Sequence, residues 1–386
     1  MKAPPGVSEA PPVERWLAAN AHAVALLFVV LGLLARLRAA NAPFLQPDEV
    51  LHIRIASAAT LADTYRESLT NAHPPLFYVL LRGWRHFAHS DWALRLLPVA
   101  FGTAFLWSAW RWAAAALGRS SGLVTLACLA FFPSVVVVSS ELRGYALLLW
   151  AIASALWALE EAFAARSIRM LWLFTGLGAV ALSSHYSAFR FLAAAFVYAS
   201  VRLMAEASAP RRFVPATTPR SFVVHWMAGQ AALVALAAFF YATHIVHLRG
   251  SPLEQEVQGT WLEEAFRHPG QGAIAFLARR TLSLFQYFFS TKAGGGVALV
   301  LFAGGVAWLA VRRLPVAILL TIPFALAAAG GLLAVYPYGG TRHDVDLAIL
   351  AYSGTAVALA RLTGERLWAA VAVAAALVVS GFLVSG

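Results

Sequence analysis

LVTLACLAFFPSVVVV, residues Leu123–Val138, carries no charged side chain, and its flanks stay uncharged from Ser120 to Ser140, between Arg119 and Glu141. An α-helix needs about 18 or more such residues to cross the roughly 30 Å hydrocarbon core of a bilayer. The stretch therefore reads as a membrane span. Ala146–Leu159, Ala231–Tyr241 with its neighbours, and Val297–Val311 repeat the pattern. Composition agrees: of 386 residues 61% are hydrophobic and 12% charged, against about 25% charged in soluble domains, and mean hydropathy is +0.72. The expected fold is an all-α polytopic membrane protein.

About eleven spans are expected: 18–38, 93–117, 120–139, 143–164, 169–184, 187–204, 221–243, 295–311, 314–335, 345–361 and 367–385. The first is read as retained, because Ala23–Leu37 lacks a small-residue cleavage site. Short-loop Lys and Arg set orientation. With the N-terminus inside, the inner connections hold Arg119, Arg166/Arg169, Arg211/Arg212/Arg220, Arg312/Arg313 and Arg366, whereas the outer ones hold little beyond Arg143 and Arg342. Multi-pass residence in the cell inner (plasma) membrane follows. The chain, residues 1–386, is read as one transmembrane domain without an internal repeat or a separate soluble domain. Two extracytoplasmic segments, 41–91 and 246–293, interrupt the spans.

In the first segment, Phe77, Leu80, Leu81, Trp84 and Ala88 share a helical face, with Arg82, Arg85, His86 and His89 on the rest. Such an amphipathic helix lies in the interface. Ala273–Ser290, interrupted by Arg279 and Arg280, has the same character. Of 18 acidic residues, six (Glu9, Glu14, Glu160, Glu161, Glu206, Glu365) fall inside, so 18 − 6 = 12 fall outside. Acids contribute little to topology, so their concentration there points to a working outer face.

The net charge of +11 is explained by span-flanking cations, and no basic cluster interleaves with aromatics, so nucleic acid is not expected as a partner. The single cysteine, Cys128, lies inside an apolar run, which leaves no disulfide framework or thiolate metal site.

Four outer motifs could carry chemistry. Gln46-Pro47-Asp48-Glu49 opens a helix just beyond the first span; Pro and acids there are also ordinary helix-start residues. A carboxylate at the membrane edge can serve as general base on a hydroxyl. Adjacent helical side chains diverge by about 100°, so Asp48 is chosen as base, and Glu49 is left to a second acceptor contact, an ion pair or a metal. His73-Pro74-Pro75-Leu76 is equally readable as a helix start. Glu141-Leu142-Arg143-Gly144-Tyr145 offers a guanidinium fork that suits phosphate oxygens, or an internally neutralised pair. Tyr336-Pro337-Tyr338-Gly339-Gly340-Thr341-Arg342-His343-Asp344 pairs a Gly-Gly step, where backbone can approach a ligand closely, with two donors. His185-Tyr186 sits on the same side. No zinc spacing, P-loop or nucleophile elbow is present. Nine of eleven histidines map outside, and a divalent metal is compatible with them, although none is required.

Taken together, Pro47-Asp48-Glu49, His73-Pro74-Pro75-Leu76-Phe77-Tyr78, Ala93-Leu94-Arg95-Leu96-Leu97-Pro98, Glu141 to Leu147, His185-Tyr186 and Gly340-Thr341-Arg342-His343 resemble the GT-C superfamily of membrane glycosyltransferases. The resemblance is to the bacterial branch related to protein O-mannosyltransferases and aminoarabinose transferases. It implies a polyprenyl-phosphate-sugar donor, membrane lipids as partners, and inverting transfer of a hexosyl or pentosyl group at an extracytoplasmic site. The acceptor would be a hydroxyl of a glycan, lipid or protein. Asp48 matches the acidic base, with Glu49 beside it. Arg143 or Arg342 would hold the donor phosphate, with His73, Tyr145, His185 and His343 around the substrate. Unlike longer relatives, the chain shows no C-terminal soluble domain, which leaves the acceptor to the two outer segments. The competing readings are another lipid-phosphate transferase or polysaccharide ligase, a transporter or flippase, and a non-catalytic envelope-assembly protein.

Overall fold

The structure, a computed structural model, describes residues 11–208, 220–248 and 250–384; the Arg211/Arg212 pair lies outside them. Helices α1 (Pro12–Ala19) and α2 (Ala21–Ala40) lead to three short ones, α3 (Pro47–Ala56), α4 (Leu61–Ser68) and α5 (Leu76–Trp84). Then come α6 (Asp91–Leu117), α7 (Arg119–Phe131), α8 (Pro133–Val138), α9 (Tyr145–Ala165), α10 (Ile168–Ser184), α11 (Ala188–Ser208) and α12 (Arg220–Phe240). A π-turn (Tyr241–Ile245) runs into α13 (Val246–Leu248), followed by α14 (Pro252–Gly259) and α15 (Ala273–Phe288). The chain closes with α16 (Lys292–Arg312), α17 (Leu314–Leu332), a 3-10 segment (Arg342–Leu347), α18 (Ala348–Leu362) and α19 (Leu367–Val384). Among the described residues there is no strand.

Among the described residues, eight helices are long and apolar enough to cross a membrane, and three shorter apolar ones, in α7, α10 and α19, accompany them. Each of the expected spans has its helix. Burial sorts them: 78% of the most apolar stretch is buried within the protein in both α9 and the α18 span, against 17% in α12 and 28% in α16. The first pair forms the middle of the bundle, and the second presents its apolar surface outward, to lipid. α9 packs between α6 and α10, and α18 between α7 and α16. A Cβ at Gly305 of α16 would overlap the carbonyl of Gly354 in α18, the close approach that small residues permit between membrane helices.

The opening stretch is not one straight helix. Pro133 has no N–H to give Leu129, and the helix breaks at Phe132, which is extended (φ −66°, ψ 129°). Arg36 of α2, fully buried, fills the gap: Nη2 donates to the Leu129 carbonyl at 3.0 Å, and Nη1 to Ala130 at 3.3 Å and Gly32 at 3.0 Å. Backbone carbonyls freed inside a membrane protein must find a donor, and an arginine from the neighbouring helix supplies it.

Residues read as cytoplasmic gather at one end of the bundle. Arg119 donates to Ala18 at 2.8 Å, Ser120 to Glu365 at 2.7 Å and Arg313 to Ala116 at 2.7 Å. Glu14 accepts from the N–H groups of Leu367 (2.8 Å) and Trp368 (3.2 Å), a carboxylate capping the start of α19. The other end carries α3–α5, α13–α15 and the 3-10 segment. Phe77, Leu81 and Ala88 are buried there, with Leu80 and Trp84 partly covered, as their spacing predicts. Arg82, by contrast, is not free on a polar face: it donates to the Ala58 and Ala59 carbonyls and to Thr64, fastening α5 to the α3–α4 turn.

Candidate functional site

Helix α3 begins at Pro47, with Gln46 ahead of it and Glu49 returning to the Gln46 N–H at 2.8 Å. This capping arrangement fixes the first turn, and the first turn sends its two acids different ways. Glu49 is fully buried. Its Oε1 accepts from Arg95 Nε at 2.9 Å and the Leu142 N–H at 2.9 Å, and its Oε2 from Arg95 Nη2 at 2.7 Å. Burial alone would raise this carboxyl's pKa; Arg95 and the Leu142 and Gln46 N–H groups outweigh it and hold the group below its ordinary value. With both oxygens engaged, Glu49 makes the ion pair that was one of the three roles considered for it. Arg95 also donates to the carbonyls of Ala42 (2.8 Å) and Phe44 (2.8 Å), so the pair pins the first outer segment onto α6.

Asp48 points the other way, with 41% of its side chain exposed. Its Oδ2 receives Arg143 Nη2 and, at 2.6 Å, Arg342 Nη2. Oδ1 has no hydrogen-bond partner among the described residues. Arg143 is buried and also lies 3.3 Å from Glu141, whose carboxyl is pushed up by burial against the pull of Arg342 and Arg95. Three segments far apart in sequence thus meet on one carboxylate oxygen, with Glu141 as a second acid beside Arg143.

The remaining expected residues surround this centre. His52, one turn beyond Asp48, donates from Nδ1 to the Asp48 carbonyl at 2.7 Å and stacks on Tyr78 at 4.9 Å between ring centroids. His73 lies 6.0 Å from His52, 5.0 Å from His185 and 6.1 Å from Tyr145. Tyr145 and His185 are 5.1 Å apart, and His185 Nδ1 accepts from the Ser187 N–H at 3.2 Å. Burial drives the pKa of His52 down to about 4 and of His185 to about 3, and that of His73 well below its ordinary value. Burial favours the neutral form of each imidazole. Among the described residues, no three His, Cys, Asp or Glu side chains gather as metal ligands.

This centre can be set beside known proteins. A family model described as dolichyl-phosphate-mannose-protein mannosyltransferase matches residues 72–212, which include His73, Arg143, Tyr145 and His185. ArnT from Cupriavidus metallidurans, bound to undecaprenyl phosphate, superposes with TM-score 0.52 at 16% identity over 88% of this chain and 61% of its own. The Archaeoglobus fulgidus oligosaccharyltransferase, tethered with an acceptor peptide, gives TM-score 0.54 at 13% identity over 96% of this chain and 54% of its own. The chain has the GT-C fold. It spans a little over half the length of these GT-C structures. No curated protein sequence matches it significantly.

Within this GT-C bundle the tail motif behaves differently from expectation. Its glycines do approach something closely, but it is α15. A Cβ at Gly339, whose φ is +135°, would meet the Arg280 guanidinium, and one at Gly340 would strike the Ser283 carbonyl. The Gly-Gly step seats the turn against the protein. Reading the sequence missed what holds the turn. Arg190 of α11, buried, donates to Asp344 and Asp346 at 2.6 Å each, and Asp344 Oδ2 accepts from the Gly339 N–H at 2.9 Å. An arginine one turn into an apolar span, just after His185-Tyr186, was the available signal. The π-turn after α12 places His244 between the Asn71 carbonyl (2.9 Å from Nε2) and the Tyr186 hydroxyl, tying the first outer segment to the end of α12 and to the α10–α11 turn. Among the described residues, an apolar groove of about 610 Å³ lies between α2 and α6, and a smaller cavity at the Glu14–Glu365 end.

Proposed function

We propose that this protein moves a sugar from a polyprenyl-phosphate carrier to an acceptor hydroxyl at the extracytoplasmic face of the cell membrane, with inversion at the anomeric carbon. The carrying observation is Asp48 held through one oxygen by Arg143 and Arg342. Oδ1 takes the proton of the acceptor hydroxyl as that oxygen bonds to the anomeric carbon. The carbon–oxygen bond to the phosphate breaks on the opposite side, and the lipid phosphate leaves with the electron pair. Arg143 and Arg342 meet the charge it gains, the electrostatic help that counts most where charge develops. In this reading the arginines carry the phosphate charge and no metal is invoked. Undecaprenyl phosphate, bound in the ArnT structure, agrees with a lipid-linked donor.

The test is transfer from radiolabelled polyprenyl-phosphate sugars by membranes containing wild-type or Asp48→Asn protein at matched expression. Loss of a positioned general base lowers rates about a hundred- to ten-thousand-fold. Undiminished transfer by Asp48→Asn would remove Asp48 from the chemistry.

A further inference from the structure

Trp261 stands beside the phosphate arginine with its indole in the open. The residues that follow it are fixed. Leu262, Ala265 and Phe266 are buried, Tyr338 donates its N–H to the Ala265 carbonyl at 3.0 Å, and Arg267 donates to Gly331 at 3.0 Å. A large aromatic on an anchored turn would ordinarily fold under; Trp261 stays 57% exposed. Its ring centroid lies 5.7 Å from the His343 ring, and the Arg342 guanidinium carbon 5.9 Å from it. The indole N–H makes no hydrogen bond among the described residues.

Next to it are polar atoms with nothing to bond. His343 Nδ1 and Thr341 Oγ1 are both buried without a hydrogen-bond partner. A buried polar group left unpaired costs about 1–3 kcal/mol, so each of these atoms calls for a partner that the protein does not supply. The ligand that satisfies both features has an apolar face for the ring and hydroxyls for the orphaned atoms. A pyranose is that object: its C–H bonds suit the electron-rich face of an indole, and its rim is hydroxyl.

The geometry points to a sugar subsite in which Trp261 covers the C–H face of the donor's pyranose while Thr341 Oγ1 and His343 Nδ1 bond its hydroxyls. This rests on the proposed function, since Arg342 holding the phosphate puts the anomeric carbon one oxygen away. It assigns Trp261 and Thr341 to selection of the sugar, apart from the lipid phosphate.

The experiment measures binding to full-length protein in nanodiscs of two kinds of probe: bare undecaprenyl phosphate, and its sugar-bearing mannosyl and glucosyl phosphodiesters. Trp261→Ala should weaken a sugar-bearing lipid about five- to tenfold and leave the bare phosphate within twofold. Trp261→Phe should recover most of the loss, and Thr341→Val should show the same sugar-only defect. Equal weakening of both probes, or none of either, overturns the subsite while leaving the phosphate assignment intact. If the wild-type protein binds neither probe, the donor reading itself falls and takes the subsite with it.

Discussion

Arg342 donates to Asp48 across 2.6 Å although 294 residues separate them in the chain. Arg143 reaches the same oxygen, so the proposed base and both proposed phosphate ligands form one unit before any substrate arrives. Replacing Arg342 or Arg143 by Ala removes a charge-assisted contact of about 1.5–3 kcal/mol. The expected result is a ten- to hundredfold rise in KM for the lipid-linked donor, with Arg342→Lys intermediate because a point charge replaces a fork. Steady-state transfer kinetics decide it, and an unchanged KM in both variants would misplace the phosphate.

The Glu49–Arg95 pair should behave as structure. Glu49→Gln or Arg95→Met alone strands a buried charge or its partner, at a cost of about 3–5 kcal/mol, seen as a large fall in melting temperature. The double variant should recover part of that loss, since no lone charge remains. A single variant that melts normally but fails to transfer would return Glu49 to the chemistry.

Acidification should loosen the outer end of the bundle. His52 and His185 have folded pKa values depressed to about 4 and about 3, whereas the unfolded chain protonates them near 6.5. Their neutral forms support folding fully above pH 6.5. As the pH falls below that, the unfolded state takes up protons that the folded state refuses, and stability drops. Melting temperature should therefore decline between pH 6.5 and 4, and His52→Phe, which keeps a ring against Tyr78, should flatten the decline. A curve equally steep in that variant would assign the effect to other groups.

Orientation is open to direct chemistry. The sole native cysteine is buried, so Asp48→Cys provides a single reactive thiol. A membrane-impermeant maleimide added to intact cells should label it. Labelling only after permeabilisation would invert the topology.

The spans were readable because apolar length is a local property, and the meeting of Asp48, Arg143 and Arg342 followed from placing each beside the same face of the membrane. What escaped depends on which helix lies next to which. Glu49 is separated from Asp48 by one residue's rotation; that turn predicts that only one acid faces the site, but Arg95, which claims the other, is known only once α6 is docked. Arg190 and its two aspartates balance within a bundle whose packing no periodicity reveals. The Gly-Gly step was rightly seen as a close approach, yet its neighbour, α15, could not be named from spacing. Trp261 gave no signal at all, because an exposed tryptophan in a polar segment is unremarkable until Arg342 is found beside it.

The arginine that occupies the gap left by Pro133 ties two distant positions into one unit of inheritance. Restoring an ordinary residue at 133 would return an amide to Leu129 and leave Arg36 a cation with a lost partner in the middle of the fold. Losing Arg36 first would leave bare carbonyls. Neither step is neutral by itself, so among descendants of this chain the two sites should drift together or stay fixed together.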